Sequence, residues 1–134
     1  RIDRQEATAR TLAGWLSHHP KVGKVYYPGL TDHPDFELAQ RQQSGPGFMI
    51  SFRVKGGGDA TAAFLKELKL VTLASSLGGF STLICKPSTM THRGMPPEAQ
   101  AEAGIAPDLL RLSVGLEEAE DLIADFELGF AAAG

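Results

Sequence analysis

One cysteine among 134 residues, Cys85, has no partner for an internal disulfide, and no Cys/His spacing along the chain supplies a zinc site. The lone thiol reads as a buried, inert one. An excess of charge of one sign is missing too. With 13 basic and 16 acidic side chains the net charge is −3, and the basic residues are scattered, so nothing favours nucleic acid or an anionic membrane surface. No apolar run reaches the length of a membrane span, and Arg1-Ile2-Asp3-Arg4-Gln5-Glu6 has no signal-peptide pattern. Internal repeats are absent, as is any low-complexity stretch beyond Ala131-Ala132-Ala133-Gly134. A cytoplasmic setting fits these absences. What is present, 43% hydrophobic and 22% charged residues, suffices for one compact core and is too short for two ordinary domains. The chain opens on arginine rather than methionine and enters a helical pattern at once, so it reads as a piece of something longer.

Helices and short strands alternate along it. Ala9, Leu12, Ala13 and Leu16 recur at helical spacing and predict an amphipathic helix from Asp3 to His18, sealed by Trp15 and ended by Pro20. Val22 to Tyr27 is a strand candidate closed by Pro28-Gly29. Pro34, at a first helical position, opens a helix reaching Gln43. Alternation of Phe48, Ile50, Phe52 and Val54 with Met49, Ser51 and Arg53 marks the clearest strand. Gly56-Gly57-Gly58-Asp59 lacks the Lys-Ser/Thr partner of a phosphate loop and reads as a flexible turn. The helix after it, Asp59 to Leu68, is expected to bury Ala60, Ala63, Phe64 and Leu68. Strands at Leu70 to Ala74 and Leu83 to Cys85 follow, then a short helix opened by Pro96-Pro97 and stopped by Gly104. A strand from Leu110 to Leu116 precedes a last helix with Glu117, Glu118 and Glu120 in its first turn and a buried stripe of Ala119, Leu122, Ile123, Phe126 and Phe130. The expected fold class is α/β: a small sheet covered by helices on one face, its strand order not readable from the pattern.

Two segments carry the chemistry. Leu73-Ala74-Ser75-Ser76-Leu77-Gly78-Gly79-Phe80-Ser81-Thr82-Leu83, continued by Lys86-Pro87-Ser88-Thr89-Met90-Thr91-His92, sets small hydroxyls and paired glycines between two strands. Such backbone can come close to a ligand, and it can equally be a polar turn. In the Leu110 to Leu116 strand, Arg111, Ser113 and Gly115 face away from Leu110, Leu112, Val114 and Leu116. A guanidinium in mid-strand is either solvent-facing on an open sheet or paired with an anion, which can be an acidic residue of the chain or a ligand. His18 and His19 at a helix end read as solvated, His33 as part of a turn, and His92 as a structural hydrogen-bonding residue rather than an acid-base group.

The run SLGG with a hydroxyl-Leu following, then PSTMTH, then LLRLSVGLEEAEDLIADF, resembles the carboxy-terminal domain of the trans-sulfuration enzymes that depend on pyridoxal phosphate. HPKVGKVYYPGL, HPDFELAQRQQSGPG and FMISFRVKGG extend the likeness over nearly the whole chain. The resemblance implies the small domain of a fold-type I enzyme, an α+β sandwich with a small mixed, largely antiparallel sheet covered by helices on one face, residues 1–134 binding the substrate carboxylate, with the cofactor domain and its lysine outside this chain. It implies that Arg111 of RLSVG binds the α-carboxylate of the amino acid, a task suited to a planar two-donor fork. Ser76 of the SLG motif lies beside that carboxylate, and Ser75 and Leu77 join the substrate-binding set. Ser75 departs from the family, whose cystathionine-processing members often carry glutamate there and methionine-processing ones a small apolar residue. Ser81 departs as well, from a commonly acidic position. No residue of this chain is assigned catalysis, and Lys69 and Lys86 do not match the cofactor-lysine motif. The implied activity is a lyase cleaving the Cγ–S bond of cystathionine or methionine, as part of a homotetramer with pyridoxal phosphate bound mainly elsewhere and a sulfur amino acid as its partner. The chain alone is then expected to be inactive. The alternatives are γ-replacement, as in cystathionine γ-synthase, and a free-standing α/β ligand-binding module.

Overall fold

The computed structural model describes all 134 residues. The chain order is α1 (Ile2–His18), β1 (Val22–Tyr26), α2 (Phe36–Gln42), β2 (Met49–Val54), α3 (Gly57–Glu67), β3 (Thr72–Leu73), β4 (Leu83–Cys85), α4 (Pro97–Glu102), β5 (Leu109–Ser113) and α5 (Ala119–Ala132). The strands form one sheet in the order β1-β2-β5-β4-β3, antiparallel except for the parallel β3/β4 pair. This is the mixed, largely antiparallel sheet that the family resemblance implies, and β2 and β5 are the strands that the alternation of Phe48 to Val54 and around Arg111 predicts. Val25, Ile50, Phe52, Val54, Ile84, Leu110, Leu112 and Val114 put their side chains into one core with Leu12 and Leu16 of α1, Phe64 of α3, and Leu122, Phe126 and Phe130 of α5. Phe64 anchors the helical layer, with ring centroids 4.6 Å from Phe130, 5.7 Å from Phe126 and 6.1 Å from Phe52. Burying each such ring contributes roughly 1.5–3 kcal/mol.

Residues paired directly across antiparallel strands point to the same side of a sheet. The register Tyr26↔Ser51, Ser51↔Arg111 and Cys85↔Arg111 therefore runs one row of side chains across four strands on the face away from the three long helices. Cys85 in that row is buried. The short α4 and the segment to Pro107 share a pocket with Tyr26 and Arg53 on that same face.

Several boundaries differ from the sequence expectation, each for a local reason. β3 is two residues long instead of spanning Leu70 to Ala74, because the amides of Lys69, Leu70 and Val71 are bonded to the Asp125 carboxylate rather than to a neighbouring strand. β5 stops at Ser113 and Leu116 is exposed, because Gly115 N–H donates to Thr82 Oγ1 and Leu116 N–H to the Phe80 carbonyl. α5 starts at Ala119, and Glu117 lies outside it with its carboxylate on Thr82. The turn ahead of α3 is confined to Lys55 and a left-handed Gly56, and the helix begins at Gly57 rather than Asp59. On α3 the fully buried positions are Thr61 and Phe64, with Ala60 and Leu68 packed only partly against the core. α2 begins at Phe36, two residues beyond Pro34, and buries none of its side chains. His19 is not solvated: its side chain is 9% exposed and its ring stacks 4.2 Å from that of Phe130.

Candidate functional site

Arg111 occupies the centre of β5, between Ser51 on β2 and Cys85 on β4. Its Nη2 donates to the Ser75 carbonyl at 2.8 Å, which joins the mid-strand arginine to the Ser/Gly loop 36 positions earlier in the chain. Its Nε is buried without a hydrogen-bond partner. None of the chain's five salt bridges involves Arg111, so the reading that pairs it with an acidic residue of the chain is corrected. A buried charged donor left unpaired is costly, and an arriving anion removes that cost.

The loop that faces Arg111 is held at its base from several directions. Gly78, at φ +81, takes a conformation that a side chain would resist, and its N–H donates to Ser113 Oγ at 2.8 Å. Ser113, expected on the polar face, is consequently buried under the loop. The Gly79 carbonyl accepts from Gln5 Nε2 at 3.0 Å, and the Phe80 carbonyl accepts from Leu116 N–H at 2.8 Å. Thr82 closes the loop, donating its N–H and its hydroxyl to Glu117 at 2.8 and 2.6 Å while accepting from Gly115 N–H at 2.9 Å. Gly115 must be glycine, because a Cβ there would collide with the Phe80 carbonyl and lie 2.5 Å from the Ser81 carbonyl carbon.

Of the residues singled out from sequence, Arg111 and Ser75 are brought into contact, through the backbone of Ser75. Ser76 and Leu77 follow on the exposed crest of the loop, and Leu77 is 52% exposed. Leu73 before the loop and Phe80 near its end are exposed as well, at 50% and 67%. His92 makes structural bonds: its Nδ1 lies 2.7 Å from Thr91 Oγ1, and its carbonyl accepts from Gln100 Nε2. His33 Nδ1 accepts from Asp35 N–H inside its turn.

Sequence reasoning missed the anchors. Gln5 lies one helical turn before Ala9 on the buried stripe of α1, a position that the periodicity could have flagged as a polar group in need of partners. Glu117 was absorbed into a helix start, and Asp125 and Thr82 had no signal in the pattern.

Residues 1–131 match the family described as Cys/Met metabolism PLP-dependent enzyme. The chain is 51% identical over 129 residues to the L-methionine gamma-lyase of Fusobacterium nucleatum subsp. nucleatum, which covers 96% of this chain and 33% of that protein. It is 47% identical over 133 residues to the cystathionine gamma-synthase of Escherichia coli (strain K12), covering 99% of this chain and 34% of that one. The crystal structure of cystathionine gamma synthase from Xanthomonas oryzae pv. oryzae, in complex with aminoacrylate and cysteine, superposes with a TM-score of 0.95 at 47% identity over 99% of this chain and 34% of that chain. The chain thus spans about a third of the length of these relatives. Fold and sequence agree, and the chain belongs to the Cys/Met metabolism family of enzymes that depend on pyridoxal phosphate.

Proposed function

We propose that residues 1–134 are the substrate-carboxylate-binding part of a longer pyridoxal-phosphate enzyme that cleaves the Cγ–S bond of methionine or cystathionine. The observation that carries this reading is Arg111 itself, whose Nη2 is steadied by the Ser75 carbonyl while its Nε has no hydrogen-bond partner in the chain. A carboxylate is the acceptor that suits such a donor, since two parallel N–H···O bonds fix its position and its plane. These residues fit the amino-acid end of a cofactor-bound substrate. For the cofactor itself the chain offers little: Lys86 Nζ points to the Gly58 carbonyl at 3.4 Å, away from the Arg111 row. The cofactor's lysine and phosphate cradle are therefore assigned to the two thirds of the enzyme outside this chain.

When bound, pyridoxal phosphate supplies the electron sink that carbanion chemistry at the substrate requires. The residues described here orient. Arg111 holds the α-carboxylate, and with one end of the amino acid fixed the distal sulfur is directed along the Ser75–Ser76 crest. The exposed side chains of Leu73, Leu77 and Phe80 provide apolar surface that excludes water once the rest of the enzyme covers it.

Replacing Arg111 by alanine in the full-length enzyme removes about 3 kcal/mol of charge-assisted binding, hence on the order of a hundredfold in kcat/KM. The cofactor's visible absorbance is retained. Arg111→Lys, a point charge on a stem that lacks the fork, restores part of the loss. Unchanged kinetics in the alanine variant refute the assignment.

γ-Replacement is the second reading, favoured by the near-equal identity to the cystathionine gamma-synthase of Escherichia coli. Product analysis of the full-length enzyme separates the two, using methionine, cystathionine, and an activated homoserine ester with cysteine. Release of a thiol from methionine or cystathionine supports elimination. Cystathionine formed from the ester and cysteine supports replacement.

A further inference from the structure

Gln5 stands near the start of α1, yet it is wholly buried, on the same stripe as Ala9, Leu12, Ala13 and Leu16. A glutamine there needs a reason, because an apolar side chain would fill the space without a polar group to satisfy. Its Nε2 donates twice, to the Val114 carbonyl at 2.7 Å and to the Gly79 carbonyl at 3.0 Å, at separations of 109 and 74 positions. These acceptors belong to the end of the Arg111 strand and to the Ser/Gly loop. The two carbonyls fix which way the amide points, and its Oε1 is left buried without a partner. The side chain is thus present for its donors, and it keeps them at the expense of an unmet acceptor.

We propose that Gln5 is a positioning residue for the carboxylate site. It clips the Ser/Gly loop to Val114, just past β5 and three residues beyond Arg111, so that the Ser75 carbonyl stays on Arg111 Nη2 and the guanidinium is held in one orientation for an incoming carboxylate. The inference rests on the carboxylate reading of Arg111. It predicts a defect confined to substrate capture. Without the clip the loop samples positions in which Ser75 leaves the guanidinium, and the arginine that meets the substrate is no longer pre-oriented.

The test is Gln5→Met in the full-length, cofactor-loaded enzyme, a change that keeps length and volume and removes both donors. We expect KM for the amino-acid substrate to rise about tenfold with kcat within threefold of the parent, the split that marks lost binding rather than lost chemistry. Amide exchange at Gly78 to Ser81 should quicken by about an order of magnitude while exchange in the core strands is unchanged. Gln5→Leu takes its place if Q5M does not fold. Unchanged KM, or unchanged exchange in the loop, overturns the inference, as does a loss of kcat that tracks a fall in melting temperature. Failure of the underlying reading shows itself separately, as normal kinetics in R111A, whereas failure of the Gln5 inference alone shows as a crippled R111A beside a normal Q5M.

Discussion

Asp125 offers the sharpest stability test. Its carboxylate is 5% exposed and accepts the N–H groups of Lys69 at 2.8 Å, Leu70 at 3.1 Å and Val71 at 2.9 Å, capping the segment that leads into β3 and the Ser/Gly loop. Bonds to a charged group contribute roughly 1.5–3 kcal/mol each, and a donor stranded in the interior costs about 1–3 kcal/mol. The three losses do not simply add, because Lys69 and Leu70 are exposed residues whose amides water can reach, whereas Val71 is buried. Asp125→Ala should therefore destabilise by about 3 kcal/mol, which for a chain of this size lowers Tm by roughly 10 °C. Asp125→Asn is the discriminating variant. It preserves shape, but it replaces one of two accepting oxygens by an NH2 group that must face either the Lys69 donor or the Leu70 and Val71 pair. If acceptor chemistry is what matters, asparagine loses at least half of what alanine loses. The measurement is the urea midpoint with the slope checked for constancy, since a shift at constant slope is a change of stability. An asparagine variant within about 0.5 kcal/mol of the parent would refute the capping argument and leave only packing.

Two further outcomes follow from the same structure. Gly115→Ala must push the Phe80–Ser81 backbone away from β5, so it should raise KM for the amino acid at least as strongly as Gln5→Met, read by steady-state kinetics of the full-length enzyme. Tyr27 is 1% exposed, its hydroxyl donates to the Gly47 carbonyl at 2.7 Å, and burial pushes its pKa up to about 12 from an ordinary 10.0. Raised above the unfolded value, it contributes stability that is intact below pH 10.0 and drains away as pH climbs toward about 12, so Tyr27→Phe should flatten the fall of the urea midpoint across that window.

The parts of this molecule that could be read in advance are those governed by periodicity. Phe48 to Val54 alternates because one face of β2 meets the helical layer, and Ala9 to Leu16 repeats because α1 lies along that layer, so sheet and helices could be drawn from sequence. Arg111 stood out for the same reason, as a charge where the alternation wanted a polar-face residue. The unreadable parts depend on partners far away in the chain. His19 is covered by the nearby Trp15 and by Phe130, which α5 carries to it from 111 positions later. β3 is short only because a carboxylate from α5 captures the three amides before it. Glu117 sits where a helix start would welcome negative charge, so local rules gave it a sufficient local role and concealed its bond to Thr82, 35 positions earlier.

That concealment bears on why Arg111 is available at all. The acidic residues closest to it in the chain are Asp108, Glu117 and Glu118, any of which could have neutralised a mid-strand guanidinium. Asp108 is held by Arg53 Nε, with both carboxylate oxygens within 3.1 Å. Glu117 is held by Thr82, and Glu118 by Arg4 at 2.6 Å. Meanwhile β5 and β3 end early, which leaves backbone groups at the base of the loop that must be bonded because they are buried. Gln5, Ser113, Thr82 and Glu117 meet that demand with side chains that carry no net positive charge. The network that shapes the loop thus also occupies Glu117, while Arg53 and Arg4 hold Asp108 and Glu118, and the one cation of the Tyr26–Ser51–Arg111–Cys85 row is left with only the neutral Ser75 carbonyl as a partner.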